Sequence, residues 1–179
     1  MSTLKISRRY AKSLLATATE KNIVDEVSKD IALVGHIGDV SKDLRSMLRS
    51  PIIDVSVKKT VLTDVLGGKV NSLTMDFLDL LLEKRRGHLL REIVMEYGVM
   101  LDKVQNVERV RVTSAVELDD AQRLNIETSL AKRMNRTIVA TYQVDPAILG
   151  GAIVCVGDDV LDGSLRHQLG VLRERLAIG

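Results

Sequence analysis

From Leu4 to about Val104 the apolar residues recur at intervals of three and four with no sustained alternation, the spacing of helices that each bury one face. The first helix carries Tyr10, Ala11, Leu14, Leu15 and Ala18 on one stripe, keeps Arg8, Lys12 and Ser13 outside it, and stops near Asn22. A second helical pattern runs from Val24 to Val40. A short third segment through Leu44, Met47 and Leu48 is closed by Pro51, because proline drives the residue before it out of the α region. A fourth helix starts after Asp54 or Ser56, carries Val61, Leu62, Val65 and Leu66, and ends at Gly67-Gly68. Asn71 or Ser72 caps the fifth, SLTMDFLDLLLEKRRG, which is apolar over more than one face: Leu73, Phe77, Leu80, Leu81 and Lys84 on one side, Met75, Leu78 and Leu82 on another. Such a helix lies in the middle of a bundle or docks a partner on its second face. Leu90, Val94, Tyr97, Leu101 and Val104 form the stripe of a sixth helix.

Around Gln105 the period changes to two. Val110 and Val112 alternate with Arg109, Arg111 and Thr113 as in a half-exposed strand. A helix starting at Asp119 or Asp120 carries Ala121, Leu124, Ala131 and Met134, and Ile138, Ala140, Tyr142 and Val144 alternate again. Asp145-Pro146 turns the chain into a buried strand, Ala152 to Val156. Gly157-Asp158 has the composition of a two-residue hairpin turn leading into Asp159-Val160-Leu161. A last helix carries Leu165, Leu169, Leu172 and Leu176. The expected architecture is therefore mainly α: a six-helix N-terminal bundle over residues 1–105, then a small α+β domain over residues 106–179.

Composition changes this picture little. Of 179 residues, 45% are apolar and 28% charged, the balance of a globular chain, and a net charge of +2 sets up no general attraction for nucleic acid. The start, MSTLKISRRYAKSLL, lacks the apolar region of a secretory signal, and the longest apolar run, Ile148 to Val156, is shorter than the ~20 residues that span a bilayer. Any membrane association is expected to be indirect. Cys155, the only cysteine, excludes an internal disulfide and reads as a buried, inert thiol between Val154 and Val156.

The densest cluster of chemistry-bearing residues is GGAIVCVGDDVLDGS, from Gly150 to Ser164. As a calcium loop beginning at Asp158 it fails, because Val160 and Leu169 stand at the third and twelfth positions where oxygen ligands are required. Gly150, Gly151, Gly157 and Gly163 lack the spacing of a dinucleotide loop. At Gly67-Gly68-Lys69, Thr63 and Val70 break the pattern of a phosphate loop. Turn chemistry explains the stretch better: Gly157-Asp158 for the hairpin, Asp162 or Ser164 capping the last helix. His36, His88 and His167 have no second ligand at metal-binding spacing, so neither metal nor cofactor is expected, and no catalytic residue is assigned. The basic clusters Lys84, Arg85, Arg86, His88 and Lys132, Arg133, Arg136 sit near predicted helix C-termini, where the helix dipole favours cations. An RNA-binding helical adaptor using them is the alternative reading. Three tyrosines and one phenylalanine are too few for base-stacking platforms, so no nucleic-acid partner is expected.

RRYAKSLLATATE (Arg8 to Glu20), FLDLLLEKRRGHLLREI (Phe77 to Ile93) and, most specifically, ILGGAIVCVGDDVLDGSLRHQL (Ile148 to Leu169) resemble the delta subunit family of rotary ATP synthases, known in mitochondria as the oligomycin-sensitivity-conferring protein. The resemblance spans essentially the whole chain. Lys84-Arg85-Arg86-Gly87 departs from it, since relatives more often carry a shorter basic step there. It implies a non-catalytic peripheral-stalk subunit at the cytoplasmic face of a bacterial plasma membrane. Its N-terminal bundle would grip N-terminal helices of the alpha subunits, and its C-terminal domain would meet a b-type stalk subunit. It also implies a groove between the first and fifth helices, which Tyr10, Ala11, Leu14, Leu15 and Ala18 are available to line on one wall and Met75, Leu78 and Leu82 on the other.

Overall fold

The computed structural model describes residues 3–157 and 159–177. Asp158, and the side chains of Leu172 and Leu176, lie outside the described residues. The chain is mainly helical with one small sheet, and it divides between Leu101 and Asp102 into two compact units.

In the first unit the helices are α1 (Thr3–Glu20), α2 (Val24–Val40), α3 (Lys42–Arg49), α4 (Val55–Leu66), α5 (Ser72–Glu83) and α6 (Leu90–Val104), with a 3-10 turn at Gly87–Leu89. Their ends follow local chemistry. Asn22 takes a left-handed φ of 57° just after α1. The side chains of Ser41, Asp54 and Asn71 accept from the first free backbone N–H groups of α3, α4 and α5. One continuous core runs through the unit, from Ala11, Leu14 and Ala18 of α1 to Ile93 and Tyr97 of α6. Gly35 lets α2 and α6 close together, because a Cβ there would lie 2.8 Å from Val94 Cγ1. A polar link crosses the bundle: buried Asp30 of α2 accepts from Asn71 N at 2.7 Å and Thr74 Oγ1 at 2.8 Å, which puts a carboxylate at the positive end of α5.

The second unit begins in the last turn of α6, where Asp102 accepts from Arg109 Nε at 2.6 Å and Nη2 at 2.9 Å. It contains β1 (Val107–Ser114), α7 (Asp120–Met134), β2 (Thr137–Val144), a 3-10 turn at Pro146–Ile148, β3 (Ala152–Val156), β4 (Asp159–Asp162) and α8 (Leu165–Ala177). The sheet order is β2-β1-β3-β4. β1 and β2 are parallel, joined by the α7 crossover, and the other pairs are antiparallel. Asp119 opens α7 with a capping box to Gln122.

The helix phase of α7 differs from the expected stripe. Leu130 is buried and Ile126 half-buried against Val110 and Val112, whereas Leu124 and Ala121 are exposed. Polar residues beside the true inner stripe mask it in the sequence. Glu127 accepts from Tyr142 Oη at 2.8 Å, and the Arg123 guanidinium lies 5.1 Å from the Tyr142 ring centre.

Candidate partner interfaces

The glycine- and aspartate-rich stretch is a structural clasp. Gly151 takes φ +78°, and a Cβ on it would lie 2.3 Å from Gly163 O. A Cβ on Gly150 would collide with Leu165 Cδ1 at 2.6 Å. Gly163 N donates to Ala152 O at 3.0 Å and Leu165 N to Gly150 O at 3.0 Å, so the start of β3 and the start of α8 are laced backbone to backbone. Gly163 serves through this close approach, its own φ being negative, and the left-handed turn conformation belongs to Gly151 and, at φ 56°, to Gly157. Buried Ser164 caps α8 by accepting from His167 N at 3.2 Å, and Asp162 Oδ1 accepts from Ser164 N at 2.9 Å. The Asp162 carboxyl is held below its usual range by its hydrogen bonds with Ser164. Asp162 and Ser164 are thus committed to the turn and cap that open α8.

The residues expected to line a groove between α1 and α5 divide in two. Ala11 (0% exposed), Leu14, Leu15, Ala18, Leu78 (1%) and Leu82 belong to the bundle's own core, where they fill the space between helices. Tyr10 and Met75 are half-buried against that core. What α1 and α5 present at their shared edge is Tyr10, standing edge-on to Phe77 with ring centres 6.3 Å apart at 69°, beside a cleft with Ile6, Arg9 and Arg86. Leu80, on the same stripe of α5 as Leu73 and Phe77, is 42% exposed. Phe77 and Leu81 of that stripe are buried, so Leu80 alone of its leucines and phenylalanine is strongly exposed. Asp76 and Lys84, four residues either side of Leu80, are the sequence signal for its exposure.

In the second unit, α8 is exposed from Leu165 to Gly170, with Leu165 at 47% and Leu169 at 59%, and Val171 is half-buried. Val160 and Leu161 of β4 are exposed as well, on opposite faces of the strand. Since a helix this apolar gains its stability by covering that surface, this corner is unfinished as an isolated protein surface. Cys155 is half-buried, not buried as its flanking valines suggested, because α7 covers only the sheet face that carries Val110 and Val112. Its cross-strand partners are Arg111 and Val160. Among the described residues no group of three or more His, Cys, Asp or Glu side chains gathers as metal ligands. Of the basic clusters, Arg136 pairs with Glu108, and Lys132 and Arg133 stand in the last turn of α7.

Comparison with known proteins gives a consistent result. The profile of the ATP synthase delta (OSCP) subunit family matches residues 6–176. The ATP synthase subunit delta of Chlorobium luteolum is 38% identical over 178 residues, 99% of this chain and 98% of that protein. That of Solidesulfovibrio magneticus is 37% identical, with 97% of each chain covered. In fold, the chain is similar to one in a cryo-EM structure of the Toxoplasma gondii mitochondrial ATP synthase hexamer, with a TM-score of 0.72 at 23% identity, covering 96% of this chain and 97% of that one.

Proposed function

We propose that this chain, which belongs to the ATP synthase delta (OSCP) subunit family, ties the catalytic head of a rotary ATP synthase to its peripheral stalk through two separate apolar surfaces. As a member of that family it is a non-catalytic subunit. The six α-helices of the first unit act as one head-binding bundle, and the edge that carries Ile6, Tyr10, Leu73 and Leu80 receives an amphipathic N-terminal helix of an alpha subunit. The second unit receives a b-type stalk subunit on α8 and β4. No described helix is long and apolar enough to cross a membrane, and the chain sits peripherally, on the cytoplasmic face of a bacterial plasma membrane, held there by its partners.

The observation that carries this reading is the pair of exposed leucines on α8, Leu165 and Leu169, in a chain whose residues 6–176 match the family. A stator must hold against torque without dissociating. Burying apolar surface at about 25 cal/mol per Å² gives a helix-in-groove contact that strength without catalytic chemistry. The test is a pull-down of the tagged full chain from detergent-solubilised membranes. Alpha and b-type subunits are expected in the eluate, and a chain that emerges without either would sink the proposal. A salt titration of the eluted complex separates this reading from RNA binding, since phosphate contacts weaken steeply with salt and apolar docking does not.

A further inference from the structure

Where α3 ends and α5 turns into α6, a pocket of about 430 Å³ opens, lined by residues from 48 to 58 and from 82 to 88. One wall is Lys58, only 8% exposed, whose Nζ donates to Ser50 O at 2.6 Å and to Leu48 O at 3.3 Å. Both acceptors are neutral carbonyls and an ammonium has three protons to donate, so the charge is buried with one donor left over among the described residues. Arg49, Arg85 and His88 also line the pocket. Among the described residues no carboxylate lies within ion-pair distance of these four groups. Asp54 supplies the only carboxylate of the lining, and its Oδ1 is already engaged by Val55 N at 3.1 Å, capping α4.

The backbone fixes where Arg85 leaves the chain. α5 ends in a Schellman turn, with Arg86 N donating to Leu81 O at 2.7 Å and Arg85 N to Leu82 O at 2.8 Å, and Arg85 takes φ 56° at the position where glycine is favoured. Among the described residues the other left-handed positions fall to glycine or asparagine, Leu149 apart. Gly87 is buried, and a Cβ there would lie 3.3 Å from Leu48 O and 3.1 Å from Leu82 Cδ2, so the turn is pressed against the end of α3. Stapling that helix end accounts for Lys58. The helix dipoles likewise favour Arg49 in the last turn of α3 and Arg85 just past α5, but they do not account for the left-handed conformation that Arg85 keeps beside a buried, incompletely bonded ammonium.

We propose that this pocket binds a phosphate-type oxyanion, held by Lys58, Arg49 and Arg85. A tetrahedral anion offers acceptors in several directions, which suits donors carried on three segments of chain that line one pocket, and charge-assisted bonds are the strong kind. The source is free phosphate or the phosphate group of a small ester. The inference rests on the first unit alone and stands apart from the stator reading.

The test titrates the full chain with inorganic phosphate replacing chloride at constant ionic strength, followed by thermal melting and by backbone amide resonances, with ATP as a second arm. Phosphate is expected to raise the melting temperature and to move the amides of Arg85, Gly87 and His88. Arg85→Gly should weaken phosphate binding about tenfold or more, while the variant melts no lower than the parent because glycine suits the left-handed turn. Arg49→Gln should weaken it similarly. A response to both ligands identifies a phosphate-ester pocket, and a response to phosphate alone a site for the bare oxyanion. No response at tens of millimolar phosphate, or a response that Arg85→Gly leaves undiminished, overturns the proposal.

Discussion

Gly151 and Tyr97 show how much a single position decides. Gly151 combines a φ of +78° with a carbonyl oxygen 2.3 Å from where a Cβ would sit, so valine adds backbone strain of about 1–3 kcal/mol to a collision that only separation of β3 from the start of α8 relieves. Gly151→Val is expected to raise hydrogen exchange at β3, β4 and α8 and to leave the α1 to α6 amides protected. Tyr97, 1% exposed, has its hydroxyl pKa pushed up to about 12, by burial first and then by the Asp30 charge. The folded state holds that proton after the unfolded chain has released its own near pH 10. The stabilisation is therefore complete below about pH 10 and is lost as pH rises toward 12. Tyr97→Phe removes a hydroxyl that has no partner among the described residues, so urea unfolding at pH 8 should be nearly unchanged. Between pH 10 and 12 the variant should lose less stability than the parent, and parallel losses would contradict the assigned burial.

At the scale of elements, α1 and α5 separate what holds the bundle together from what it offers outward. Ala11 and Leu78 have no exposed surface to give a partner, so Ala11→Asp and Leu78→Asp each bury a charge without a counterion and should unfold the first unit, seen as lost helical circular dichroism. Leu80→Asp changes a side chain already half in water and should leave the helical signal intact. If the proposed edge receives an alpha-subunit helix, Leu80→Asp should weaken binding of an alpha N-terminal peptide by about 2–3 kcal/mol. A folded Leu80→Asp chain with parental affinity would place the contact elsewhere. The two faces of α5 were legible in its sequence, but which of them turned inward was not. Phe77 is buried with Leu78 and Leu82 while the equally apolar Leu80 is not, a difference set by the packing of α2 and α4 around the helix. The same limit appears in α7, where Arg123 and Glu127 border the inner stripe because Tyr142 needs polar partners for its hydroxyl and ring. Caps were readable to within a residue or two: of Asp119 and Asp120 the first caps α7, and of Asp162 and Ser164 the second caps α8.

Across the whole molecule, the change of hydrophobic period near Gln105 marked the passage from helices to a mixed sheet, because that signal needs only local sequence. The pairing of β1 with both β2 and β3 did not show in the sequence, since it depends on contacts between distant segments. The signature from Gly150 to Ser164 was readable as turn chemistry for the same local reason, whereas the exposure of Leu165 and Leu169 was not, an apolar stripe looking alike whether a core or a partner covers it. A connector with one partner on each unit works in series, and the loss of either contact is expected to uncouple the enzyme. In inverted membrane vesicles carrying the full chain, Leu80→Asp and Leu169→Asp should each lower ATP-driven proton pumping while ATP hydrolysis by the head continues. Each substitution at a buried apolar interface costs about 3 kcal/mol, roughly a hundredfold in dissociation constant. Two independent contributions to one interface would add in free energy. Two links in series do not add in function, because a head already detached from the stalk at one end gains nothing from the other. The double variant should therefore pump no worse than the weaker single variant, and a further large drop in pumping would mean that Leu80 and Leu169 serve the same contact.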